Sequence, residues 1–233
     1  VMDVRNFILN GWKDVSLRNG YREYDGPVFE YLDMYRVKSG DEIVEQLFHL
    51  TDRGGRQLAV RPEITPSLAR MVNQKINALP RPVKWFSVPR LCRAERPQKG
   101  RLREFFQWNI DIIGVDDIIA DAEVIYTAVD YLRSVRLTSR DIVVKISSRK
   151  MLAAVLLSIG VTEQQLDPLY AVLDKKNKIP EDAFSEKIGQ IVDPSAASKI
   201  DEVMNTESIE QLKKFAGLSE QAEQAIQQVK NLF

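Results

Sequence analysis

The sequence has a single cysteine, a single histidine and no excess of charge of either sign, since it contains 33 basic and 33 acidic residues. One cysteine, Cys92, excludes an intrachain disulfide and favours the reducing cytosol. A formal net charge of zero excludes nucleic-acid binding through the overall field, so any such contact needs a local basic cluster. No apolar run approaches the roughly 20 residues that cross a bilayer, and no signal peptide is visible. We expect a cytoplasmic protein without a membrane partner.

The scarcity of histidine and cysteine also argues against a zinc site, whose ligands are mostly these two residues. His49 falls at alternating spacing in a predicted hairpin, and we interpret it as structural. Cys92 directly precedes Arg93 and therefore points to the opposite face of its strand, so we interpret it as a core residue rather than a nucleophile. We expect no metal site formed by the side chains of this chain.

Residues 1–147 alternate predicted strands and helices, with hairpins rather than regular βαβ crossovers. This order predicts an α+β fold, an antiparallel sheet with helices packed on it. Thr65 and Pro66 predict an N-cap and a first helical residue, and Pro89 predicts a break in its strand. The predicted elements are a first helix ending at Asn19-Gly20, an extended segment Tyr21–Phe29, a hairpin (Gln46–Asp52 and Arg56–Arg61), a helix from Thr65 to about Asn77, strands Val83–Arg93, Arg103–Gly114 and Ile142–Ile146, and a helix Ala120–Val135.

From residue 148 onward the pattern is helical without a convincing strand. Apolar residues recur at helical spacing in successive segments. We therefore predict a second, small all-helical domain at 148–233. Its predicted helices are Arg149–Ile159, Glu163–Lys175, Ser195–Asn205, Ser208–Phe215 and Ser219–Leu232.

The predicted strand Arg103–Gly114 has one face whose side chains are suited to binding a ligand. Because side chains alternate along a strand, Glu104, Phe106, Trp108, Ile110 and Ile112 form one row, which is mostly apolar. The opposite row mixes amide, carboxylate and guanidinium groups with an aromatic ring. It contains Arg103, Phe105, Gln107, Asn109 and Asp111. An ordinary solvated face is the simplest interpretation, but this mixture suits a small polar ligand.

The segment before that strand, residues 93–103, contains five cationic side chains and one carboxylate, Glu95. In a chain without net charge this is a local anion site. The planar guanidinium groups of arginine suit phosphate oxygens, and Gly100 allows the backbone to approach closely. A basic loop alone is more often a solvated turn. Together with the polar strand face, it indicates a phosphate-containing ligand.

Four segments carry a resemblance to a known family. The stretch Cys92–Gln107 reads CRAERPQKGRLREFFQ and resembles motif two of the class II histidyl-tRNA synthetases, close to R-x-E-R-P-Q-x-G-R-x-R-E-F-x-Q. Val60–Arg70 resembles the family's R-P-E-x-T segment, and Gly20–Glu30 resembles motif one with its proline. Lys145–Lys150 is similar to the junction from which the family's helical insertion departs. The resemblance implies a partial catalytic core at 1–147 and a helical insertion domain at 148–233.

The resemblance implies an ATP site. Arg93 would contact the α-phosphate and stabilise charge during adenylate formation. Glu95 would lie near the adenine amino group, and Phe105 would stack on the adenine. Arg101 and Arg103 would meet the outer phosphates of a bent ATP, with Mg²⁺ entering as part of the ATP complex.

It also implies a histidine site. Glu63 would pair with the substrate α-ammonium, and Thr65 would form a hydrogen bond in the same pocket. Gln107 and Asp111 would line that site as well. The structural alternative is that Glu63 and Thr65 are only a first-turn carboxylate and an N-cap, worth about 1 kcal/mol to a helix.

The implied activity is ATP-dependent activation of L-histidine and its transfer to tRNA(His) by a homodimeric enzyme. The sequence contains no R-G-L-x-Y-Y segment and no glycine-rich motif three, so we expect a truncated part of that enzyme, inactive alone. Two alternatives stay open, both lacking catalysis. One is the histidine-sensing regulatory subunit of ATP phosphoribosyltransferase, and the other is a synthetase-like domain of a kinase regulator that senses uncharged tRNA. Both would be expected to lose the motif-two charges.

Overall fold

The computed structural model describes residues 1–39, 44, 46–96, 98–176, 178–206, 208–215 and 219–232. The contacts within the chain divide it into two compact units, Val1–Ile142 and Val143–Phe233, and each is described by itself. The predicted domain boundary between 147 and 148 stays a prediction. Ser148 is the N-cap of the first helix of the second unit.

The first unit combines short strands with longer helices. Its helices are α1 (Met2–Arg18), α2 (Leu32–Ser39), α3 (Thr65–Gln74) and α4 (Ile118–Ser134). Its strands are β1 (Arg22–Glu23), β2 (Phe29–Tyr31), β3 (His49–Thr51), β4 (Gln57–Val60), β5 (Val83–Ser87), β6 (Arg90–Cys92), β7 (Glu104–Phe106) and β8 (Asn109–Ile113).

These strands form three small sheets rather than the single sheet expected. The first has the order β1-β5-β8, the second β2-β4-β3, and the third pairs β6 with β7. Every pair is antiparallel except β1 with β5. The predicted α+β class with mostly antiparallel pairing is confirmed.

The predicted strand Arg103–Gly114 is interrupted at Gln107 and Trp108, which lie between β7 and β8. The Trp108 ring stacks on Trp12 of α1 at 5.9 Å between centroids, and its Nε1 donates a hydrogen bond to Ser16 Oγ at 2.9 Å. The α3 residues Ile64, Leu68 and Val72 belong to a separate apolar cluster with Tyr24, against which Trp85 of β5 packs. The polar residue Asp111 is paired across the sheet with Trp85.

Several local predictions for the first unit are confirmed. The hairpin of β3 and β4 is antiparallel, and Gly55 in its turn has a φ of 78°, a backbone conformation that favours glycine. The predicted break at Pro89 separates β5 from β6. The first helix ends at Arg18, next to the predicted stop at Asn19-Gly20. Pro66 lies in the first turn of α3, one residue after the first helical position, which was predicted for it.

Other predictions are wrong. Ile64, not Thr65, is the N-cap of α3, and the helix ends at Gln74 rather than near Asn77. None of the residues Ile142–Ile146 is in a strand. Val143 is 80% exposed, and an extended apolar segment becomes a strand only when a partner satisfies its backbone groups. The helix α2 was not predicted, because it is short and directly follows β2.

The second unit is helical. Its helices are α5 (Arg149–Ser158), α6 (Glu163–Leu173), α7 (Glu181–Gly189), α8 (Pro194–Met204), α9 (Ile209–Phe215) and α10 (Glu220–Lys230). Five of them were predicted to within about two residues at each end, whereas α7 was missed. Side chains of Ser148, Asp193 and Ser219 accept hydrogen bonds from the first turns of α5, α8 and α10, which explains where these helices begin. No helix in the described ranges is both long and apolar enough to cross a membrane.

Candidate functional site

The basic loop leaves β6 at Arg93 and returns to β7 after Arg103. The backbone N–H of Arg93 donates to the Arg103 carbonyl at 2.8 Å and closes the base of the loop. Gln98 and Arg101 exchange backbone hydrogen bonds near its tip, where Gly100 has a φ of 82°. An L-residue with a side chain rarely adopts that conformation, so this glycine permits the tight return. Pro97, also part of the predicted motif, lies outside the described residues.

A pocket of about 330 Å³ lies against this loop. It contains four of the five residues predicted for ATP, and Arg103 is absent from its lining. The loop residues Arg96, Gly100 and Leu102 and the β7 residue Phe106 also line it. Arg96 and Gly100 belong to the predicted anion-binding segment, whereas Leu102 and Phe106 were not predicted as site residues. The lining residues are Arg93, Glu95, Arg96, Gly100, Arg101, Leu102, Phe105 and Phe106.

The charges in the pocket are partly paired. Arg101 and Glu95 form an ion pair at 3.0 Å, and the Arg103 Nε donates to the Glu95 backbone carbonyl at 3.4 Å. The Arg93 guanidinium carbon lies 5.2 Å from the centre of the Phe105 ring. The pocket thus combines an excess of positive charge with an aromatic ring, which suits an anionic ligand carrying a flat group.

The residues predicted to bind the substrate histidine do not line that pocket. Glu63 is half-buried in the turn before α3, and Thr65 is exposed at the start of that helix. Gln107, which follows β7, is half-buried, and its N–H donates to the Pro89 carbonyl at 3.3 Å. Asp111 lies in β8. The roles of Glu63, Thr65, Gln107 and Asp111 in binding histidine stay predictions.

Two hydrogen bonds nevertheless join the turn that contains Glu63 to the basic loop. The Arg93 Nε donates to the Pro62 carbonyl at 3.2 Å. The N–H of Cys92 donates to the Arg61 carbonyl at 3.0 Å. Segments predicted to bind two different substrates are therefore in direct contact, although some 30 residues separate them along the chain.

Asp111 lies in a partly dry environment. Burial raises the pKa of its carboxyl group above the ordinary value of an aspartate. Burial, followed by the negative charge of Asp111, raises the pKa of the Tyr24 hydroxyl. Within the described residues, neither the Tyr24 hydroxyl nor the Asn109 side-chain nitrogen has a hydrogen-bond partner. Buried polar groups are normally satisfied, so this group of side chains is suited to a polar ligand or to water.

Sequence reasoning missed Tyr24 and Arg61 as candidate site residues. Alternation along the strand did place Asn109 beside Asp111, but no local signal brings Tyr24 to them. Tyr24 reaches this region because β1 pairs in parallel with β5, and its own N–H donates to the Phe86 carbonyl at 2.9 Å. In the part of the chain that the structure describes, no three His, Cys, Asp or Glu side chains are grouped closely enough to hold a metal ion.

Solved structures resemble this fold. A histidyl-tRNA synthetase from Nostoc sp. PCC 7120 aligns with 99% of this chain and 53% of its own, with a TM-score of 0.83 and 19% identity. A Bacillus halodurans protein described as an ATP phosphoribosyltransferase regulatory subunit/histidyl-tRNA synthetase aligns with a TM-score of 0.79 and 23% identity, over 99% of this chain and 60% of its own. At such low identity, these likenesses establish the fold alone.

Sequence relatives are more specific. The histidine–tRNA ligase of Leptospira biflexa is 42% identical over 97% of this chain and 52% of its own length. The chloroplastic/mitochondrial histidine–tRNA ligase of Arabidopsis thaliana is 39% identical over 100% of this chain and 47% of its own. The chain thus spans about half the length of these curated relatives. A sequence model of the histidyl-tRNA synthetase family matches residues 6–233, and the chain therefore belongs to that family.

Proposed function

We propose that this chain, which spans about half the length of its curated relatives, belongs to a cytoplasmic histidine–tRNA ligase. The complete enzyme activates histidine with ATP and transfers it to tRNA(His). The observation that carries the proposal is the contact between the two predicted substrate segments. Arg93, at the base of the basic loop, donates to the Pro62 carbonyl, directly beside Glu63. This contact supports a reaction in which a phosphate of one substrate meets the carboxylate of the other.

The pocket against the basic loop supports ATP as the first substrate. Phe105 offers a ring for the adenine, and Glu95 offers a carboxylate for its amino group. Arg93 is assigned to the α-phosphate, and Arg101 with Arg103 to the outer phosphates. For Arg101 to reach a phosphate it must exchange its ion pair with Glu95, now 3.0 Å long. Mg²⁺ belongs to the ATP complex, where phosphate oxygens are its natural ligands.

The histidine segment supports the second substrate. Glu63 is assigned to the α-ammonium group, and Thr65 and Gln107 are assigned to the same site. Asp111 is assigned to the side-chain end of the ligand, because it lies half-buried in β8, where a hydrogen bond to imidazole is stronger than in water. A site that hydrogen-bonds its ligand in this way discriminates against amino acids that leave its polar groups unpaired.

The proposed chemistry has two steps. The histidine carboxylate attacks the α-phosphorus of ATP, the bond from that phosphorus to the bridging oxygen breaks, and pyrophosphate leaves. Negative charge builds up on the α-phosphate oxygens, where the Arg93 guanidinium stabilises it. A terminal ribose hydroxyl of the tRNA then attacks the carbonyl carbon of histidyl-adenylate, AMP leaves, and the hydroxyl proton passes to solvent.

The test is histidine-dependent exchange of pyrophosphate into ATP, measured on the complete protein and on the 233-residue chain. The complete protein should exchange with histidine and not with other amino acids. The chain alone should be slower by well over tenfold, a barrier difference of more than about 1.4 kcal/mol. The reason is that the resemblance assigns a second arginine to the R-G-L-x-Y-Y segment, which this sequence lacks. An isolated chain within about tenfold of the complete protein would show that Arg93 and its neighbours suffice.

The alternative is a histidine-sensing regulatory subunit of ATP phosphoribosyltransferase. One structural neighbour is described as an ATP phosphoribosyltransferase regulatory subunit/histidyl-tRNA synthetase. Retention of Arg93, Glu95, Arg101 and Arg103 favours the synthetase, because a sensor does not need an ATP site. The same experiment separates the two. A sensor binds histidine in calorimetry but gives no exchange with ATP and histidine together.

The proposal includes a homodimer. In the sheet β2-β4-β3, Phe29 lies opposite Val60, and Tyr31 lies opposite Leu58, so these four side chains share one face. Phe29 and Tyr31 are 50% and 57% exposed. Phe29 lies within the segment that resembles motif one, and Tyr31 directly follows that segment. Exposed apolar patches of this kind mark interaction sites.

Tyr31→Glu should therefore shift the complete protein from dimer to monomer in light scattering coupled to size-exclusion chromatography. Placing a carboxylate in a dry interface without a partner costs several kcal/mol. Tyr126→Glu, at an equally exposed tyrosine of α4, is the matched control and should leave the mass unchanged. A dimer that persists in Tyr31→Glu would place the interface elsewhere.

A further inference from the structure

Arg61 is the most completely buried charged side chain among the residues described, and the proposed reaction does not yet use it. Only 4% of its surface is exposed. Its Nη1 donates to the Asp25 carboxylate at 2.7 Å and to the Gly26 carbonyl at 2.6 Å. Its Nε donates to the Arg90 carbonyl at 3.1 Å. One guanidinium group thus joins the loop after β1 to the start of β6.

The backbone of Arg61 is held as firmly as its side chain. Its N–H donates to the Val28 carbonyl at 2.9 Å, and its own carbonyl accepts from the Cys92 N–H at 3.0 Å. The next residue, Pro62, presents the carbonyl that accepts from the Arg93 Nε at 3.2 Å. Arg61, which is held in place by these bonds, is therefore the direct neighbour of Pro62, which binds Arg93.

We propose that Arg61 is a positioning residue for the Arg93 guanidinium. By tying the loop 25–28 and β6 to the turn 61–63, it sets the place of the Pro62 carbonyl, which in turn orients Arg93 over the Phe105 ring. This inference rests on the proposed function, because it assigns Arg61 an effect on catalysis through Arg93.

The geometry requires an arginine. The guanidinium group is a rigid plane whose Nε and Nη1 point in different directions. Nε donates to the Arg90 carbonyl on one side, and Nη1 donates to Asp25 and Gly26 on the other. An ammonium group is a point charge on a flexible stem and cannot keep both directions at once. A lysine would retain the charge beside Asp25 but release the Arg90 carbonyl or the Gly26 carbonyl, and the turn would lose its fixed position.

The main experiment measures pyrophosphate exchange by the complete enzyme carrying Arg61→Lys. We expect kcat to fall roughly 10²-fold, the effect of about 1 Å of misplacement at a reacting centre, while the KM values for ATP and histidine change less than about threefold. Arg70→Lys is the matched control. Arg70 also pairs with a buried carboxylate, that of Glu30 at 2.6 Å, and its replacement should leave kcat within about threefold of wild type.

A double-substitution cycle separates positioning from general loss of structure. If Arg61 acts through Arg93, Arg61→Lys introduced into the Arg93→Ala enzyme should lower kcat by less than about threefold, because the group it positions is already gone. A full second loss in the double variant overturns the inference. A fully active Arg61→Lys enzyme overturns it as well, whereas a wild-type enzyme without histidine-dependent exchange rejects the proposed function instead.

A second variant serves if Arg61→Lys does not fold, as judged by circular dichroism. Asp25→Asn removes a carboxylate that is 71% exposed and therefore makes a small demand on folding. It should lower kcat in the same direction, by less than Arg61→Lys, and should have no effect in the Arg93→Ala enzyme. An unchanged kcat in Asp25→Asn, with Arg61→Lys unfolded, overturns the proposed positioning role.

Discussion

The two units of the chain build their interiors differently. Among the described residues of the second unit, fifteen buried apolar side chains form one cluster that includes residues from Val155 to Ile226. In the first unit, the clusters are small, and two of them contain four buried residues each. The buried polar and charged residues that the structure describes all belong to the first unit. They are Ser16, Glu30, Arg61, Ser67, Ser87 and Thr127.

The difference indicates which unit is arranged for binding. A continuous apolar core is the less costly way to stabilise a fold, because a buried polar group must find a partner. The first unit instead holds Glu30 with Ser67 and Arg70, and Arg61 with three oxygens. The Arg61 network fixes the geometry of the segments next to Arg93, whereas the Glu30 network joins α3 to β2. The helical unit is arranged for packing, and its substitutions should affect stability before they affect chemistry.

The largest effect is expected for Arg93→Ala in the complete enzyme. Removing one preorganised charge contact to a transition state typically lowers the rate by about 10²–10³, whereas histidine binding should change little. Arg93→Lys should restore little, because an ammonium cannot reproduce the planar group. The measurement is histidine-dependent pyrophosphate exchange. The control is Arg149→Ala, which removes a cation lying over the Tyr170 ring of the helical unit. An equal loss of exchange rate in this variant would contradict the proposed difference between the two units.

In the apolar core of the helical unit, we expect a substitution to lower stability rather than the reaction rate. Ile200 is fully buried in α8, and Ile200→Ala should lower the free energy of unfolding by about 2–5 kcal/mol through lost burial and the cavity left behind. Urea denaturation followed by circular dichroism measures it. Ile119→Ala, at an exposed isoleucine of α4, should stay within about 0.5 kcal/mol of wild type. Equal losses at the two positions would contradict the single packed core.

The smallest effect is expected for Asp111. It tests whether this carboxyl group lowers the stability of the fold while strengthening the binding of histidine. Because burial raises its folded pKa, the carboxyl favours folding only while protonated, and this contribution is lost as pH rises through the folded pKa. Asp111→Asn should therefore stabilise the chain at pH 7 by about 1 kcal/mol and should gain less at pH 4.

Urea midpoints at the two pH values measure that difference. The same substitution should weaken histidine binding by the complete enzyme in calorimetry. A variant that is less stable at pH 7, or one that binds histidine as tightly as wild type, would show that the Asp111 carboxylate is structural.

Local pattern predicted much of this molecule. The apolar spacing of α1, the capping serines of α5 and α10, and the proline between β5 and β6 are each visible within a few residues of sequence. The motif around the basic loop predicted Arg93, Glu95, Arg101 and Phe105, which the structure brings to one pocket. Arg103 belongs to the same motif but lies outside that lining, because its side chain turns to the Glu95 carbonyl.

Errors arose where a residue's state depends on a distant partner. The apolar run Ile142–Ile146 has the composition of a strand, but within the described residues it pairs with none. The helix α2 is too short for periodicity to reveal it, and its Leu32 and Tyr35 are buried against Leu47 and Ala59. Tertiary packing therefore decides whether such short segments are helical or extended.

The sequence by itself determined the family, the order of most elements and the basic loop, because these depend on residues close together in the chain. Only the tertiary structure decided that the turn 61–63 contacts Arg93, that Tyr24 packs against Trp85, the strand partner of Asp111, and that Arg61 is buried between two segments. Those contacts join residues far apart in sequence. The pairing of β1 with β5 and the hydrogen bonds from Cys92 and Arg93 to the turn 61–63 bring them together. No local propensity encodes such pairing, because its free energy comes from burial and hydrogen bonds that exist only once the sheets have formed.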